Sequence, residues 1–359
     1  MNGAVDGRTQ FASLLSAAAV VAATVVAYAL AEQRRVGLRP VRELGGSRAD
    51  LAARVLAGGG LAPSLRQRAW PTLLRLPGGE EVAASHEKLL ARVASLRDDP
   101  TDTAFAEAIR IVGVDVPRTT LQAGATRSAA EPRLSRLLLC YAAHDGDVGY
   151  SQGMSDVAAV FISVFEEEAL CSAAFNAFVF RHRTSFARDT TRGLGVRLRA
   201  LGALLATADP AVGAHLVKLR ATECVWALRP VVVLLARELG SHRVAPLWDV
   251  LMAHEHDDYI LYVVAAALLS HRRRLLRARG MDDLLLLVNS LGAGMRLGRV
   301  LADARTLYRK CVRRPPPCGA PSFLLTPHHA AAAWQGGCIV RSVSLKTEGM
   351  RRNQMKGKI

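Results

Sequence analysis

Two short segments carry side chains suited to one kind of chemistry. The first reads Val112-Gly-Val-Asp115-Val-Pro-Arg118-Thr119, and the second reads Val148-Gly149-Tyr150-Ser151-Gln152-Gly153-Met154-Ser155-Asp156. Transfer of a phosphoryl group to water needs positive charge on the developing equatorial oxygens and a group that orients the water. Arg118 offers the first through a planar fork of donors. Gln152 offers the second, as a neutral amide that both donates and accepts. Each segment also has a purely structural reading. Asp115 and Arg118, at i,i+3, could form a local ion pair, and Gly149 and Gly153 could be turn glycines.

The elements around them must hold these side chains still. Across residues 131–143 the apolar Leu134, Leu137, Leu138 and Tyr141 fall at i, i+3, i+4 and i+7, which predicts an amphipathic helix ended by Asp145-Gly146-Asp147. Both chemical segments then sit at loop-to-helix junctions, where a side chain is presented from a rigid base. Helices are predicted in the same way over 157–165, 196–206, 231–239 and 281–291. The run 260–269 is too short to span a membrane and reads as a buried helix. Ahead of these, Ser64 is placed to cap a helix that sets Arg66 and Trp70 on one face, with Pro71 expected to kink or restart it.

The composition agrees with a helical chain. Half of the 359 residues are hydrophobic but only 5% are aromatic, and the Ala- and Leu-rich stretches favour an all-α fold. The formal net charge is +16, with a pI near 10.4. Arginine is spread through the chain without any RNP, zinc-finger or basic-zipper pattern, so no nucleic acid partner is expected. Six cysteines form no CxxC pair, and a chain of this length does not read as a disulfide framework. The cluster His254-Glu255-His256-Asp257-Asp258 lacks the i,i+4 histidine spacing of a helical zinc site and reads as a connecting loop.

Residues 11–31 form an uncharged run of about twenty residues, the length of a bilayer-crossing helix. A cleaved signal peptide competes with that reading, since Ala29-Leu30-Ala31 resembles a cleavage site. The length of the run and its weakly basic leading end favour an N-terminal hydrophobic helix acting as a membrane anchor in segment 1–35. Arg34, Arg35, Arg39 and Arg42 follow the run and would keep the C-terminal side cytosolic. Residues 36–50 read as a linker, 51–312 as the helical domain, and 313–359 as a disordered basic tail.

At these motifs the chain resembles the TBC family of Rab GTPase-activating proteins. Arg66 and Trp70 match its first motif. Val112, Asp115 and Arg118 match the second, and Tyr150, Gln152, Gly153 and Met154 the third. Downstream, Phe186-Ala-Arg-Asp189, Asp209-Pro210 with His215-Leu216, Trp226-Ala-Leu-Arg229 and Leu247-Trp248-Asp249-Val250-Leu251 follow in the family's order. The resemblance covers roughly residues 51–310. It implies a V-shaped all-helical domain that lends two catalytic side chains to a Rab-type small GTPase, and hence a role in vesicle trafficking. Arg118 would be the arginine finger, Gln152 would position the water, Asp115 would orient Arg118 and Tyr150 would fix the glutamine loop. Arg66 and Trp70 would be structural. The resemblance implies no cofactor of its own, the Mg-GTP being carried by the partner. Val112 replaces the usual Ile, and Pro230 stands where a Trp is common, which puts the packing of that helix start in question. A non-catalytic Rab-binding adaptor and an anionic-membrane-binding helical protein remain as alternatives.

Overall fold

The computed structural model describes residues 41–121, 127–187 and 193–313. The predicted anchor at 11–31 and the predicted tail beyond 313 lie outside the described residues, as do Arg188, Asp189, Cys318 and Cys338. What is described is all-helical, apart from a single parallel bridge between Val41 and Leu61.

The first helix, α1 (Arg48–Gly58), begins on a capping box. The Ser47 hydroxyl accepts from the Asp50 backbone while the Asp50 carboxylate accepts from the Ser47 backbone. Then come α2 (Arg66–Leu74), α3 (Gly79–Asp98), α4 (Thr103–Asp115), α5 (Arg127–His144), α6 (Met154–Val164) and α7 (Glu168–Arg181). A second group follows with α8 (Leu194–Ala208), α9 (Pro210–Lys218), α10 (Leu228–Val232), α11 (Ala236–Ala253), α12 (Tyr259–Ser270), α13 (Arg272–Arg277), α14 (Met281–Asn289) and α15 (Leu297–Arg313).

Helix α11 ties the two groups together, since it packs on α1, α2 and α6. The few aromatic residues are concentrated at this junction. Phe161 lies 5.3 Å from Trp70 and 5.7 Å from Trp248, ring centre to ring centre, and Phe178 lies 4.9 Å from Trp248. Aromatic rings bury the most apolar surface per residue, so a small number can set the packing of a large core. Helix α12 is buried along nearly its whole length between α8 and α15. It is twelve residues long, and among the described residues no helix is long and apolar enough to cross a membrane.

Three local expectations are corrected. Ser64 does not cap α2, because Pro63 starts a 3-10 turn over Pro63–Leu65 and the helix begins at Arg66 without a side-chain cap. Pro71 does not restart the helix, since α2 runs through it to Leu74. A mid-helix proline costs roughly 3 kcal/mol, but Arg66, Ala69, Trp70 and Leu73 are all buried on one face and hold the helix in place. The helix predicted over 231–239 is interrupted. Leu234 and Leu235 adopt left-handed φ angles of 52° and 62°, and a second break falls at Gly240. Both leucines are buried and the Trp248 indole donates to the Leu234 carbonyl at 3.0 Å, so tertiary contacts override the local helical pattern.

The loop expected at 254–258 is a loop. Pro230 packs in the first turn of α10, where the missing N–H has no helical acceptor to lose. Asp209 caps α9 by accepting from the Ala211 and Val212 backbones, with Pro210 in the first helical position. Cys140, Cys171, Cys224 and Cys311 are free and buried, and burial pushes the Cys140 thiol up to about 11.

Candidate functional site

Arg118 is built on the end of α4. That helix starts with the Asp102 carboxylate accepting from the Phe105 backbone at 2.8 Å. It buries Phe105, Ala108 and Val112, spaced by three and four residues. Pro117 then converts the chain into a 3-10 turn over Val116–Arg118. The turn is pinned on both sides. Val116 and Thr119 are buried, and the Thr119 hydroxyl donates to the Asp115 carbonyl at 2.8 Å. Between these fixed neighbours Arg118 is exposed. Its side chain makes no hydrogen bond or ion pair among the described residues.

Gln152 is built on the connection between α5 and α6. Asp145 anchors that connection from below. Its carbonyl accepts from the Val148 and Gly149 backbones at 3.2 and 2.7 Å. Its carboxylate takes two donors from Arg183, at 2.6 and 2.7 Å, and the Tyr141 hydroxyl at 3.2 Å. Burial alone would raise the Asp145 pKa, but the bonds and charge of Arg183 together with the bonds from Val148 and Tyr141 outweigh it and hold the carboxyl below its usual range. Gly149 and Gly153 turn the chain with φ of 64° and 96°, which a glycine adopts without strain. Gly153 also answers a close approach. A Cβ there would lie 2.9 Å from Val233 Cγ1, so the break before α11 is what cradles this loop. Met154 is fully buried and its sulfur accepts from the Ser151 backbone at 3.4 Å. Gln152 stands exposed on top of this scaffold, with no side-chain partner among the described residues.

The two segments are joined by one bond. The Tyr150 hydroxyl donates to Asp115 Oδ2 at 2.8 Å. Burial pushes the Tyr150 hydroxyl above its ordinary pKa, and the bond to the Asp115 carboxylate adds to that shift, so it remains a donor at neutral pH. Asp115 therefore pairs with Tyr150, and no Asp115–Arg118 ion pair forms. The local pair that the sequence left open is absent, and Asp115 touches the glutamine loop rather than the arginine.

Arg66 and Trp70 lie away from this edge, in the core. Both meet Asp249, which is fully buried. Its carboxylate accepts from Arg66 Nε and Nη2 at 3.1 Å, from Trp70 Nε1 at 2.6 Å and from the Leu61 backbone at 2.8 Å. This pocketed carboxylate ties the opening helices to α11. Sequence reasoning quoted Asp249 without giving it a role, though a lone acid between Trp248 and Val250 in an apolar run already asked for a buried partner.

Further charges stand beside the loops, at Asp156 and Arg229, which the motifs include without a role, and at Arg237, which they do not. Asp156, in the first turn of α6, lies 3.4 Å from Arg237. Burial raises its pKa, Arg237 opposes that, and Asp115 reinforces it. Arg229 sits near the same carboxylate and is bound to the buried Glu238 at 2.8 Å. The edge that carries Arg118 and Gln152 is thus bordered by two further arginines. Among the described residues no cluster of His, Cys, Asp or Glu is arranged to hold a metal ion.

The Rab-GTPase-TBC domain family matches residues 63–276. Similar curated proteins include Rab GTPase-activating protein 22 of Arabidopsis thaliana, 27% identical over 196 residues that span 49% of this chain and 36% of that protein. GTPase-activating protein GYP7 of Yarrowia lipolytica is 25% identical, over 70% of this chain and 40% of that protein. TBC1 domain family member 17 of Homo sapiens is 26% identical, over 74% and 44%. The chain thus spans less than half the length of these relatives. In fold it is similar to the Ypt/Rab-GAP domain of Gyp1p, with a TM-score of 0.61 at 16% identity over 72% of this chain and 92% of that one. The Chlamydomonas flagellar RabGAP TBC domain gives a TM-score of 0.57 at 19% identity, over 73% and 86%. With ordered motifs, an all-helical fold and a match across more than half of its length, the chain belongs to the Rab-GTPase-TBC domain family.

Proposed function

We propose that the chain is a GTPase-activating protein that works in trans on Mg-GTP held by a Rab-type small GTPase. In this reading Arg118 neutralises charge on the γ-phosphate in the transition state, and Gln152 orients the attacking water. The observation that carries it is the bond between Tyr150 and Asp115. It couples two loops whose exposed tips are an arginine and a glutamine without partners of their own among the described residues. An exposed side chain with no protein partner, carried on a backbone that is held rigidly, is prepared for a ligand that arrives from outside. The relatives named above as Rab GTPase-activating proteins support the same partner class.

The test is single-turnover GTP hydrolysis by a panel of Rab proteins, with and without the full chain. Arg118→Ala should lose about 10³–10⁵ in stimulated rate, and Arg118→Lys should be nearly as damaging because it lacks the planar fork. Gln152→Ala should also be severely impaired, whereas replacing the GTPase's own catalytic glutamine should leave stimulation in place. An Arg118→Ala protein that stimulates as well as the parent would overturn the proposal and leave a binding adaptor in its place.

The apolar run 11–31 we propose as an anchor that confines this encounter to a membrane surface, with the helical domain on the cytosolic side. Its support is the uncharged length of the run and the four arginines from Arg34 to Arg42. Carbonate extraction and protease treatment of intact vesicles test it. A C-terminal tag that is extracted by carbonate, or protected until detergent is added, would sink it.

A further inference from the structure

We infer that the face formed by the C-terminal end of α9, α13 and α14 is a docking surface for an anionic lipid leaflet, separate from the edge that carries Arg118 and Gln152. These elements form one connected surface. Helix α13 packs on α9 and on α14. Arg272 is bonded to Asp209 at 2.5 Å, and the His215 ring meets the Ala278 carbonyl at 2.9 Å. The Arg279 backbone donates to Asp283 at 2.7 Å.

Arg273, Arg274 and Arg277 share the exposed side of α13, opposite the buried Leu275, and Arg279 is exposed just beyond them. Lys218 and Arg220 add two exposed cations at the end of α9. None of these six side chains has an acidic partner or a hydrogen bond among the described residues. The exposed acids on these helices are Asp282 and Asp283, and Glu223 is exposed three residues beyond Arg220, so the six unpaired cations outnumber three acids.

Aliphatic side chains stand out among these cations. Leu286 is 63% exposed, Val217 64%, Met281 43% and Leu285 41%. Helix α14 turns Leu284, Leu287 and Val288 inward and leaves Met281, Leu285 and Leu286 outward, where nothing among the described residues covers them. An isolated exposed leucine needs no explanation, but four exposed aliphatic side chains on elements that also carry unpaired arginines do. A bilayer surface meets both demands in one plane. Its phosphates accept bidentate guanidinium bonds, and the boundary just below them takes up short aliphatic side chains. A nucleic acid would satisfy the cations and leave the aliphatic group in water.

The experiment is sedimentation of the full chain with phosphatidylcholine vesicles, with and without phosphatidylserine. Neutral vesicles report whatever the rest of the chain contributes. The increment from phosphatidylserine reads this face, and it should shrink as salt is raised. Reversing Arg273, Arg274 and Arg277 to Glu should lower that increment by at least about a hundred-fold, since loss of the three positive charges alone, at about 1 kcal/mol each and about ten-fold for each 1.4 kcal/mol, gives that much. A Leu286→Trp reporter should shift to the blue on anionic vesicles and stay unchanged on neutral ones. All these positions are exposed, and circular dichroism confirms that the variants remain folded. An increment that survives the triple reversal, or a reporter that never leaves water, would overturn the inference. So would a triple variant that binds vesicles like the parent but no longer stimulates a GTPase, since the face would then belong to the protein partner.

Discussion

Replacing Tyr150 by Phe removes one hydroxyl and nothing else from the bond that couples the two loops. That bond is 2.8 Å long and runs to a carboxylate. Hydrogen bonds to charged groups contribute about 1.5–3 kcal/mol net. Because Tyr150 and Asp115 are each only partly buried, the low end of that range applies, about 1.5 kcal/mol. This is close to a factor of ten in the balance between joined and separated loops. Catalysis that needs Arg118 and Gln152 together responds to that population, and a displacement of about 1 Å can cost as much as 10². Tyr150→Phe should therefore lower kcat for stimulated GTP hydrolysis by about ten- to a hundred-fold while KM changes little. Global stability should fall by no more than about 1.5 kcal/mol. Combining Tyr150→Phe with Asp115→Ala should cost little more than the larger of the two single changes, because both remove the same interaction. The raised pKa of Tyr150 means that the bond survives above the ordinary tyrosine range near pH 10 and is lost only as pH climbs through the shifted value. A Tyr150→Phe protein with the parent's kcat, or with its whole defect in KM, would show that the loops are held by other contacts.

Two other outcomes follow from the core. Asp249→Ala leaves the buried Arg66 guanidinium with only the Leu61 carbonyl to donate to, and the Trp70 indole without an acceptor, so unfolding by denaturant should show a loss of about 3–5 kcal/mol. A loss under 1 kcal/mol would mean that the pocket rearranges. His254 is stacked on Tyr259 at 4.0 Å and edge-on to Tyr308 at 4.8 Å, and burial, with His256 and Arg181 nearby, pulls its pKa down to about 4. Between pH about 6.5 and 4 the unfolded chain takes up a proton that the folded chain refuses, so stability should decline as pH falls across that window. The buried His182, whose pKa is lowered by burial and by Arg197 and Arg181, acts in the same direction. His254→Gln should thus flatten the decline in part, as read from denaturation midpoints across that range. An unaltered slope would exclude His254 as a contributor.

What the sequence determined by itself was what short spacing controls. Buried faces three and four residues apart located α5, α6, α8 and α14, because helical periodicity is a local property of the backbone, and a short unbroken apolar run located α12. The pair Asp209-Pro210 opens a helix for the same kind of reason, one residue supplying the acceptor and the next surrendering an unneeded donor. The types and order of Val112, Asp115, Arg118, Tyr150, Gln152, Gly153 and Met154 announced the family and the candidate chemistry before any contact was visible. Tertiary structure decided which side chains meet. Asp115 could have paired with Arg118 three residues away, but it takes Tyr150, thirty-five residues away. Asp249 gathers Arg66 and Trp70 from the far end of the domain. The helical pattern across 231–239 was genuine, yet Trp248 and the approach of Gly153 to Val233 stabilise left-handed leucines there and make the cradle for Gln152. Pro71 likewise remains inside α2 because its neighbours are buried against distant helices. Local rules weigh a kilocalorie or two per residue, and a packed core contributes enough at particular positions to outvote them.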